Sequence, residues 1–435
     1  MKKRFFFVAM LTAVAVFARK PNYDEAKVKP YTLEDPLTFV DGRKVGTPED
    51  WAQRRLEILE IFQREMYGRM PPPPENLSLE VQEEGKTMDG FAVRKQVRMR
   101  FKAYKTGPKI DWLILRPAYA KRPVPAILFL NYRGNQEFSV DPEVLVSDGW
   151  FRNNPKKFVF NHRVSEKSRG VACTNPNGPT TFPLGMILAR GYAVVTACYG
   201  EISPDPQGKA QQDELAYTGV FSLWPPRDPA RTDNTTSLNA WAWGLMRGLD
   251  MLEREPAIDA KRVAVTGCSR LGKAALIAGA FDERFPVVIP NQTGGGGAPL
   301  AKRDFGENVS TEMRAFTHWY CKAYGKYVDN EEAMPFDQHL LLAAVAPRRL
   351  LVEGFNSGWF DPKGEYLSCR AASCVWKMLG KSPMPDVPYP DDLSTDAIGG
   401  DLGYYHRPGN HGINDWDWLR MLDFADRSFA ESIRR

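Results

Sequence analysis

The chain has 435 residues, of which 43% are hydrophobic and 12% aromatic, so it has ample material for a buried core. Its formal net charge is +5, and it falls to +2 if residues 1–18 are removed. A nearly neutral protein of this kind does not match the strongly basic proteins that bind nucleic acid, and we expect no such partner.

The first 18 residues have the pattern of a secretion signal. The basic segment Lys2–Arg4 precedes the apolar run Phe5–Phe17, and small residues follow at the end of that run. The run is too short to span a membrane, and no cysteine follows it to carry a lipid. We therefore predict a signal peptide over residues 1–18 and a protein in the periplasm or outside the cell, without a membrane anchor.

Six cysteines are scattered along the chain without a C-x-x-C pair, so we expect no zinc site. Export permits disulfides, but Cys198 and Cys268 fall at strand-like positions where a buried free thiol is expected. The sequence predicts no particular disulfide.

Strand-like and helix-like segments alternate along the first half of the chain. Apolar residues at helical spacing predict a helix over Pro48–Tyr67, and alternating apolar residues predict antiparallel edge strands over Leu77–Tyr104. Trp112–Leu115 and Ala126–Leu130 are predicted strands, the second of them central because it is apolar throughout. Residues 136–184 form an insertion rich in Asn, Pro, Lys and Arg, and so long a loop is typically functional or disordered.

The second half continues the alternation. We predict strands over Gly191–Ala197, Pro286–Pro290 and Arg349–Val352. Helices are predicted over Phe182–Arg190, Ser237–Arg254, Thr311–Tyr324, Gln338–Val345 and Trp416–Ile433. The glycine run Gly294–Gly297 lacks the lysine of a phosphate-binding P-loop, so it indicates close approach of the backbone beside a site.

The segment Val265–Leu276 carries the strongest chemical signal. A strand ending at Gly267 leads to Ser269 and then to an alanine-rich helix, which is how α/β-hydrolases hold a nucleophilic serine. A serine at a helix N-terminus lies among N–H groups that stabilise an oxyanion. The usual G-x-S-x-G pattern is altered, because Arg270 follows the serine and the second glycine comes one place late, at Gly272. A purely structural turn is the alternative.

Another loop of the same kind follows the central strand. In α/β-hydrolases the loop after this strand supplies a second N–H group to the oxyanion, and here it reads Asn131-Tyr132-Arg133-Gly134-Asn135. A plain connecting loop is the alternative.

His411 is the strongest candidate for the catalytic base. It lies in a short polar loop before the last predicted helix, so the nucleophile precedes the histidine along the chain, as in α/β-hydrolases. His406 is its only rival, because His162 falls in the insertion. His318 and His339 fall in predicted helices, where packing or capping is expected.

The third member of a triad is not evident. The common pattern after the strand before the histidine loop puts Ser357 in the position of the acid, and a serine cannot hold the negative charge that stabilises an imidazolium. Glu353 and Asp361 are the nearest carboxylates. Glu353 ends the predicted strand, and Asp361 precedes a proline, which is typical of a turn.

Six short motifs follow one another between residues 267 and 411. They are GCSRLGK (267–273), PNQTGGGGAPL (290–300), FGE (305–307), DQH (337–339), WFDPKGE (359–365) and PGNH (408–411). Together they resemble the glucuronoyl esterases, which cleave the ester between 4-O-methyl-glucuronate on xylan and lignin alcohols, and the bacterial branch in particular. The resemblance implies an α/β-hydrolase fold, a three-layer αβα sandwich with a mostly parallel central sheet, as one domain over residues 19–435.

The resemblance also implies catalytic roles. Ser269 would be the nucleophile, His411 the base, and Arg270 a further group that stabilises the oxyanion. Members of the family place the acid after the strand that follows the elbow or after the strand before the histidine loop, and here these positions hold the neutral Gln292 and Ser357. Gln292 could fix the tautomer of His411 but not stabilise its charged form, a change that costs about 10⁴-fold in a serine protease. Glu353 or Asp361 could then act as a displaced acid.

For the substrate, the resemblance implies that Lys273 and Glu307 bind hydroxyls of the uronate and that Trp359 packs on the sugar ring. No metal or organic cofactor is implied. The expected partner is a glucuronate-bearing plant polysaccharide, and we expect a monomer.

Three functions remain open on the sequence. The first is an exported esterase that cleaves glucuronate esters in plant cell walls through an acyl-enzyme. The second is an esterase of the same scaffold that acts on another uronate or an alkyl ester. The third is a degenerate member that binds glucuronate-bearing glycan without efficient turnover.

Overall fold

The computed structural model describes residues 20–101, 107–174, 181–390 and 398–433. The predicted signal peptide and part of the insertion, residues 175–180, lie outside them. The strands are β1 (Ser78–Thr87), β2 (Ala92–Arg100), β3 (Lys109–Pro117), β4 (Val124–Asn131), β5 (Val159–Phe160), β6 (Arg163–Val164), β7 (Ala193–Cys198), β8 (Ile258–Cys268), β9 (Val287–Asn291), β10 (Arg349–Phe355), β11 (Ile398–Gly399) and β12 (Leu402–Arg407). The helices are α1 (Pro48–Phe62), α2 (Val171–Thr174), α3 (Leu184–Ala189), α4 (Tyr199–Ile202), α5 (Lys209–Leu215), α6 (Ser237–Leu252), α7 (Arg270–Phe281), α8 (Val309–Ala315), α9 (Gln338–Ala343), α10 (Pro362–Met378) and α11 (Asp415–Ile433).

Ten of these strands form one sheet in the order β1-β2-β3-β7-β4-β8-β9-β10-β12-β11. The strands from β7 to β12 in this order pair in parallel. The antiparallel strands β1, β2 and β3 lie at one edge and β11 at the other. The predictions of antiparallel edge strands and of a mostly parallel sheet with a central β4 are therefore confirmed.

Helices cover both faces of the sheet, as a parallel sheet requires. Side chains alternate between the faces along β4: Ala126 and Leu128 pack with α1, α6, α7, α9 and α10, whereas Ile127 and Phe129 pack with α3 and α11. The molecule is thus the expected three-layer αβα sandwich. No helix among the described residues is both long enough and apolar enough to cross a membrane.

One predicted helix, Thr311–Tyr324, is wrong over most of its length. Helix α8 ends at Ala315, and a turn separates it from a 3₁₀ segment over Lys322–Tyr327. The reason is tertiary, since the turn brings His318 and Trp319 within hydrogen-bond distance of a distant carboxylate.

Strand β12 and helix α10 were not foreseen, and β12 removes the rival to His411. His406 lies within this strand, 3% exposed, where its ring is tilted against Tyr389. Burial lowers the pKa of His406 to about 4, so it is a neutral core residue.

The carboxyl ends of six parallel strands meet at one edge of the sheet, where open α/β sheets bind their ligands. The strands β4, β7, β8, β9, β10 and β12 end there, at Asn131, Cys198, Cys268, Asn291, Phe355 and Arg407. The candidate site residues follow these strand ends or lie in the first turns of the helices behind them, except Glu353, which lies within β10.

Candidate active site

Ser269 occupies a strained turn between β8 and α7, with φ 60° and ψ −130°. Such a backbone conformation in a residue other than glycine costs about 1–3 kcal/mol and is found mainly at functional sites. The Ser269 N–H donates to the Asn291 carbonyl at 2.9 Å. A side chain at Gly272 would place its Cβ 2.6 Å from that carbonyl oxygen, which explains why the second glycine of the elbow comes one place late.

His411 is oriented by an amide. Its Nδ1 lies 2.9 Å from Gln292 Oε1. The Gly412 N–H donates to the same oxygen at 2.8 Å, and Gln292 Nε2 donates to the Gly412 carbonyl at 3.0 Å. These two bonds fix which end of the amide faces the ring, so Nδ1 carries the proton and Nε2 is left as a base. The imidazole also stacks on Phe360 and Phe355, with centroids 4.5 and 5.4 Å away.

The surroundings of His411 oppose its protonation. Burial has the largest effect, followed by the positive charges of Arg270, Arg407 and Lys273, and together they lower its pKa to about 4. A triad carboxylate would act in the opposite direction. The site therefore holds a neutral imidazole well but gives little support to the imidazolium that forms during proton transfer.

Asp361 and Ser357 are engaged in local structure. The Asp361 carboxylate accepts from Arg303 Nε at 2.9 Å and from the Gly364 N–H at 3.0 Å, which caps α10. Ser357 begins a single 3₁₀ turn after β10. Within the described part of the chain, neither the Asp361 nor the Ser357 side chain forms a hydrogen bond with His411.

Glu353 is fully buried on β10 and is directed toward another acid. Burial and the nearby Asp417 raise the pKa of Glu353 well above its usual range, which favours the neutral form. Of the candidates weighed for the third position, the structure brings Gln292 to the ring of His411, and not Glu353.

Asp205, which sequence reasoning missed, binds Arg270, the residue that follows Ser269. It is 6% exposed and pairs with Arg270 Nη1. It also lies 2.8 Å from His318 Nε2 and accepts from Trp319 Nε1 at 2.9 Å and from the Tyr199 hydroxyl at 3.2 Å. Burial alone would raise the pKa of Asp205, but Arg270 and His318 outweigh it and hold the pKa well below its usual range. The one sequence signal was its position between two prolines.

Arg270 is fixed by this pairing directly beside Ser269. Its guanidinium carbon lies 4.9 Å from the ring centre of Trp319 and 5.9 Å from that of Tyr132. The Tyr132 hydroxyl donates to the Cys268 carbonyl at 2.6 Å, which ties the loop after β4 to the elbow. These contacts hold the positive charge of Arg270 in a fixed position next to Ser269.

Lys273 and Glu307 form a buried pair one helical turn beyond the serine. Lys273 Nζ lies 3.3 Å from Glu307 Oε2 and 4.9 Å from the ring centre of Trp319. The Glu307 N–H donates to the Trp359 carbonyl at 2.9 Å. A Cβ at Gly294 would lie 2.6 Å from the Glu307 carboxylate, so the glycine run does mark a close backbone approach, as predicted.

A cavity of about 350 Å³ adjoins Ser269, and Lys273 is not among the described residues that line it. Ser269, Arg270 and His411 stand at its wall. Its apolar lining comes from β4, from α11 and from the described part of the insertion, and includes Phe129, Phe138, Val171, Ala172, Phe182 and Trp418. The half-buried Cys268 also lines it and, like Cys198, is a free thiol.

Comparisons with known proteins point to one family of esterases. The family model described as "Glucuronyl esterase, fungi" matches residues 153–380. Carbohydrate esterase MZ0003, from an unknown prokaryotic organism, is 37% identical over 407 residues, which cover 93% of this chain and 91% of that protein. The 4-O-methyl-glucuronoyl methylesterase 1 of Wolfiporia cocos is 38% identical over 390 residues, covering 85% and 76%.

The similarity extends to three dimensions. A solved structure of a glucuronoyl esterase from Solibacter usitatus has a TM-score of 0.84 at 37% identity, and the match covers 93% of this chain and 100% of that one. Three findings therefore agree: 37% identity over about nine-tenths of the chain, a matching family model, and a serine on a strained turn at the carboxyl edge of the sheet. The chain belongs to the glucuronoyl esterase family, and it is a carboxylic ester hydrolase of the α/β-hydrolase fold.

Proposed function

We propose that this protein is an exported serine esterase that cleaves esters of glucuronate or 4-O-methyl-glucuronate on plant glucuronoxylan, including those with lignin alcohols, through an acyl-enzyme. The observation that carries the proposal is the position of Ser269, one helical turn from the buried pair of Lys273 and Glu307 and at the wall of a cavity with a mainly apolar lining. A uronate ester has the same division, with a polar acyl part and an alcohol that is apolar in lignin.

In the first step the Ser269 hydroxyl oxygen attacks the ester carbonyl carbon while His411 Nε2 takes its proton. The negative charge that develops on the carbonyl oxygen is stabilised by the N-terminus of α7 and by Arg270. His411 then protonates the alcohol oxygen, the carbon–oxygen bond breaks, and an acyl-enzyme remains. Water, deprotonated by His411, attacks this ester and releases the uronic acid and the free serine.

The buried pair of Lys273 and Glu307 supports recognition of the sugar. Lys273 is 2% exposed and can offer protons that its bond to Glu307 leaves unused, while Glu307 can accept from a hydroxyl. We expect Trp359, whose carbonyl accepts from the Glu307 N–H, to cover the sugar ring. Such a mixture of charged groups and an aromatic wall is typical of sugar sites.

A second function has one observation in its favour. The group beside His411 Nδ1 is an amide, and no carboxylate raises the pKa of this histidine. A protein that binds glucuronate-bearing glycan and turns it over poorly would show this feature.

Lys273→Met tests the proposed substrate. We expect kcat/KM for the benzyl ester of glucuronate to fall about 10- to 100-fold, since a hydrogen bond to a charged group contributes roughly 1.5–3 kcal/mol. Hydrolysis of phenyl acetate, which has no sugar hydroxyls, should change little. Liberated benzyl alcohol and phenol report the two rates.

Lys209→Met, at an exposed lysine, is the matched control, and the double variant Lys273→Met/Glu307→Gln avoids leaving a buried carboxylate unpaired. Equal losses on both esters would count against a sugar site at Lys273. A wild-type protein that cleaves phenyl acetate but not the glucuronate ester would refute the proposed substrate.

Asp205→Asn should lower kcat about tenfold with little change in KM, since loss of a whole oxyanion donor costs about 10²–10³-fold and here Arg270 is misplaced rather than removed. Breaking a buried ion pair also destabilises the fold, by about 3–5 kcal/mol at most. Steady-state kinetics below the melting transition separate the two effects. The exposed Asp213→Asn is the control, and a kcat that falls only in proportion to the folded fraction would contradict a role for Asp205 in placing Arg270.

A further inference from the structure

Two loops carry the residues proposed to bind the sugar, and we call them the sugar loops: residues 305–307 and residues 357–359. They are joined directly, because the Glu307 N–H donates to the Trp359 carbonyl at 2.9 Å. One hydrogen bond is a weak constraint on two loops, since its net contribution is only about 0.5–1.5 kcal/mol. Further contacts are needed to hold Glu307 and Trp359 in a fixed relation.

The N-terminal arm supplies these contacts. The Asn22 carbonyl accepts from the Gly306 N–H at 2.8 Å, directly beside Glu307. The Tyr23 ring meets the Phe305 ring edge-to-face, with centroids 6.4 Å apart. Tyr23 also lies against Gly358, where an added Cβ would be 3.1 Å from its ring. One short stretch of the arm therefore touches both sugar loops.

An ionic link continues from the same stretch. The Glu25 carboxylate accepts from Arg303 Nη2 at 2.6 Å and from Lys363 Nζ at 3.0 Å. Arg303 precedes the first sugar loop and Lys363 follows the second. The buried Arg303 also binds Asp361, which gives this carboxylate a structural role beside its cap on α10.

The arm remains apart from the reacting atoms. None of Asn22, Tyr23 and Glu25 lines the cavity at Ser269 and His411. Half of the Tyr23 side chain is exposed, so its packing contributes little to the core. These contacts can therefore fix the position of the sugar loops without changing the reaction at Ser269.

We propose that Asn22–Glu25 is a positioning clamp that holds Glu307 and Trp359 together and thereby sets the affinity for the uronate. The inference rests on the proposed function, because it concerns the sugar side of that same site. The clamp contributes to binding in the ground state and the transition state alike, so its loss raises KM and leaves kcat nearly unchanged.

The test uses Tyr23→Ala, Glu25→Gln and the double variant in the full protein. For the double variant we expect KM for the benzyl ester of glucuronate to rise about tenfold, with kcat within about twofold of wild type. Hydrolysis of phenyl acetate should be unchanged. Hydrogen exchange at the Gly306 amide, which donates to the arm, should become faster.

Lys27→Ala is the matched control, because this exposed arm residue pairs only with Asp24 among the salt bridges of the described residues, and its variant should behave as wild type. An unchanged KM in the double variant would overturn the clamp, and so would equal losses on both esters at a temperature below the melting transition. Wild-type protein that cleaves phenyl acetate but not the glucuronate ester would instead refute the proposed function, and the clamp with it.

Discussion

Ser269→Ala is expected to reduce hydrolysis of the benzyl ester of glucuronate by about 10⁶-fold in kcat, the loss found when a serine nucleophile is removed from an established triad. Among the described residues near His411, Ser269 is the one hydroxyl that lies on a strained turn at a helix N-terminus. Alanine keeps the small side chain that the turn requires, so the fold should be preserved. Liberated benzyl alcohol gives the rate.

The same variant separates the esterase from a binding protein. If Lys273 and Glu307 bind the sugar, free glucuronate should raise the melting temperature of wild type and Ser269→Ala equally. Ser222→Ala, at an exposed serine, is the control. Turnover that survives in Ser269→Ala would show another nucleophile, whereas a wild-type rate no higher than that of Ser269→Ala would identify a glycan-binding relic.

Gln292→Glu is the second large change, and it should raise kcat by about 10²-fold, part of the roughly 10⁴-fold that separates an acid from an amide at this position in a serine protease. A carboxylate beside Nδ1 would stabilise the imidazolium that forms as Ser269 attacks, which an amide oxygen does weakly. Gln292→Leu should lower kcat, because the ring of His411 would lose its orienting acceptor.

The pH profile of kcat/KM provides the independent measurement. Only neutral His411 can act as a base, and its pKa is lowered to about 4. Wild-type activity should therefore be full above about pH 5 and be lost as the pH falls through about 4, whereas an unperturbed histidine would lose it near pH 6.5. In Gln292→Glu the acid limb should move to higher pH, because the new charge raises the pKa of His411.

Gln96→Glu is a suitable control for burying a carboxylate. Gln96 is also buried and is also held at both ends by backbone groups, since it accepts from the Leu145 N–H at 2.7 Å and donates to the Glu143 carbonyl at 2.8 Å. It lies on β2, the second strand from one edge of the sheet and outside the candidate site, so kinetics should not change. An acid limb and a kcat that are identical in wild type and Gln292→Glu would show that this side chain does not govern His411.

The features that the sequence could predict are those set by local pattern. The elbow at Ser269 follows from a strand, a small-residue turn and a helix in succession, and the loop position of His411 follows from chain order. Gln292 was assigned to its position by family resemblance. The prediction that its amide oxygen could accept a hydrogen bond from His411 agrees with the structure. Each of these depends on a short stretch of residues.

The missed features depend on contacts between distant segments. Asp205 lies 65 positions before Arg270 and 113 before His318, so nothing local marks it as their partner. The same carboxylate accounts for the wrong helix over Thr311–Tyr324, because its bonds to His318 and Trp319 are made only if the chain turns there. Periodicity measures a local preference, and tertiary hydrogen bonds of buried groups outweigh it.

The two-ended grip of Gln292 on Gly412 has an evolutionary consequence. Glutamine and glutamate codons differ by a single base, so a carboxylate lies one mutational step away. At the atomic level the step is larger, because the amide nitrogen donates to the Gly412 carbonyl at 3.0 Å, and a carboxylate oxygen in its place would face that carbonyl with like partial charge. The backbone beside His411 is thus shaped around an amide, and the full gain from a carboxylate would require the histidine loop to change with it.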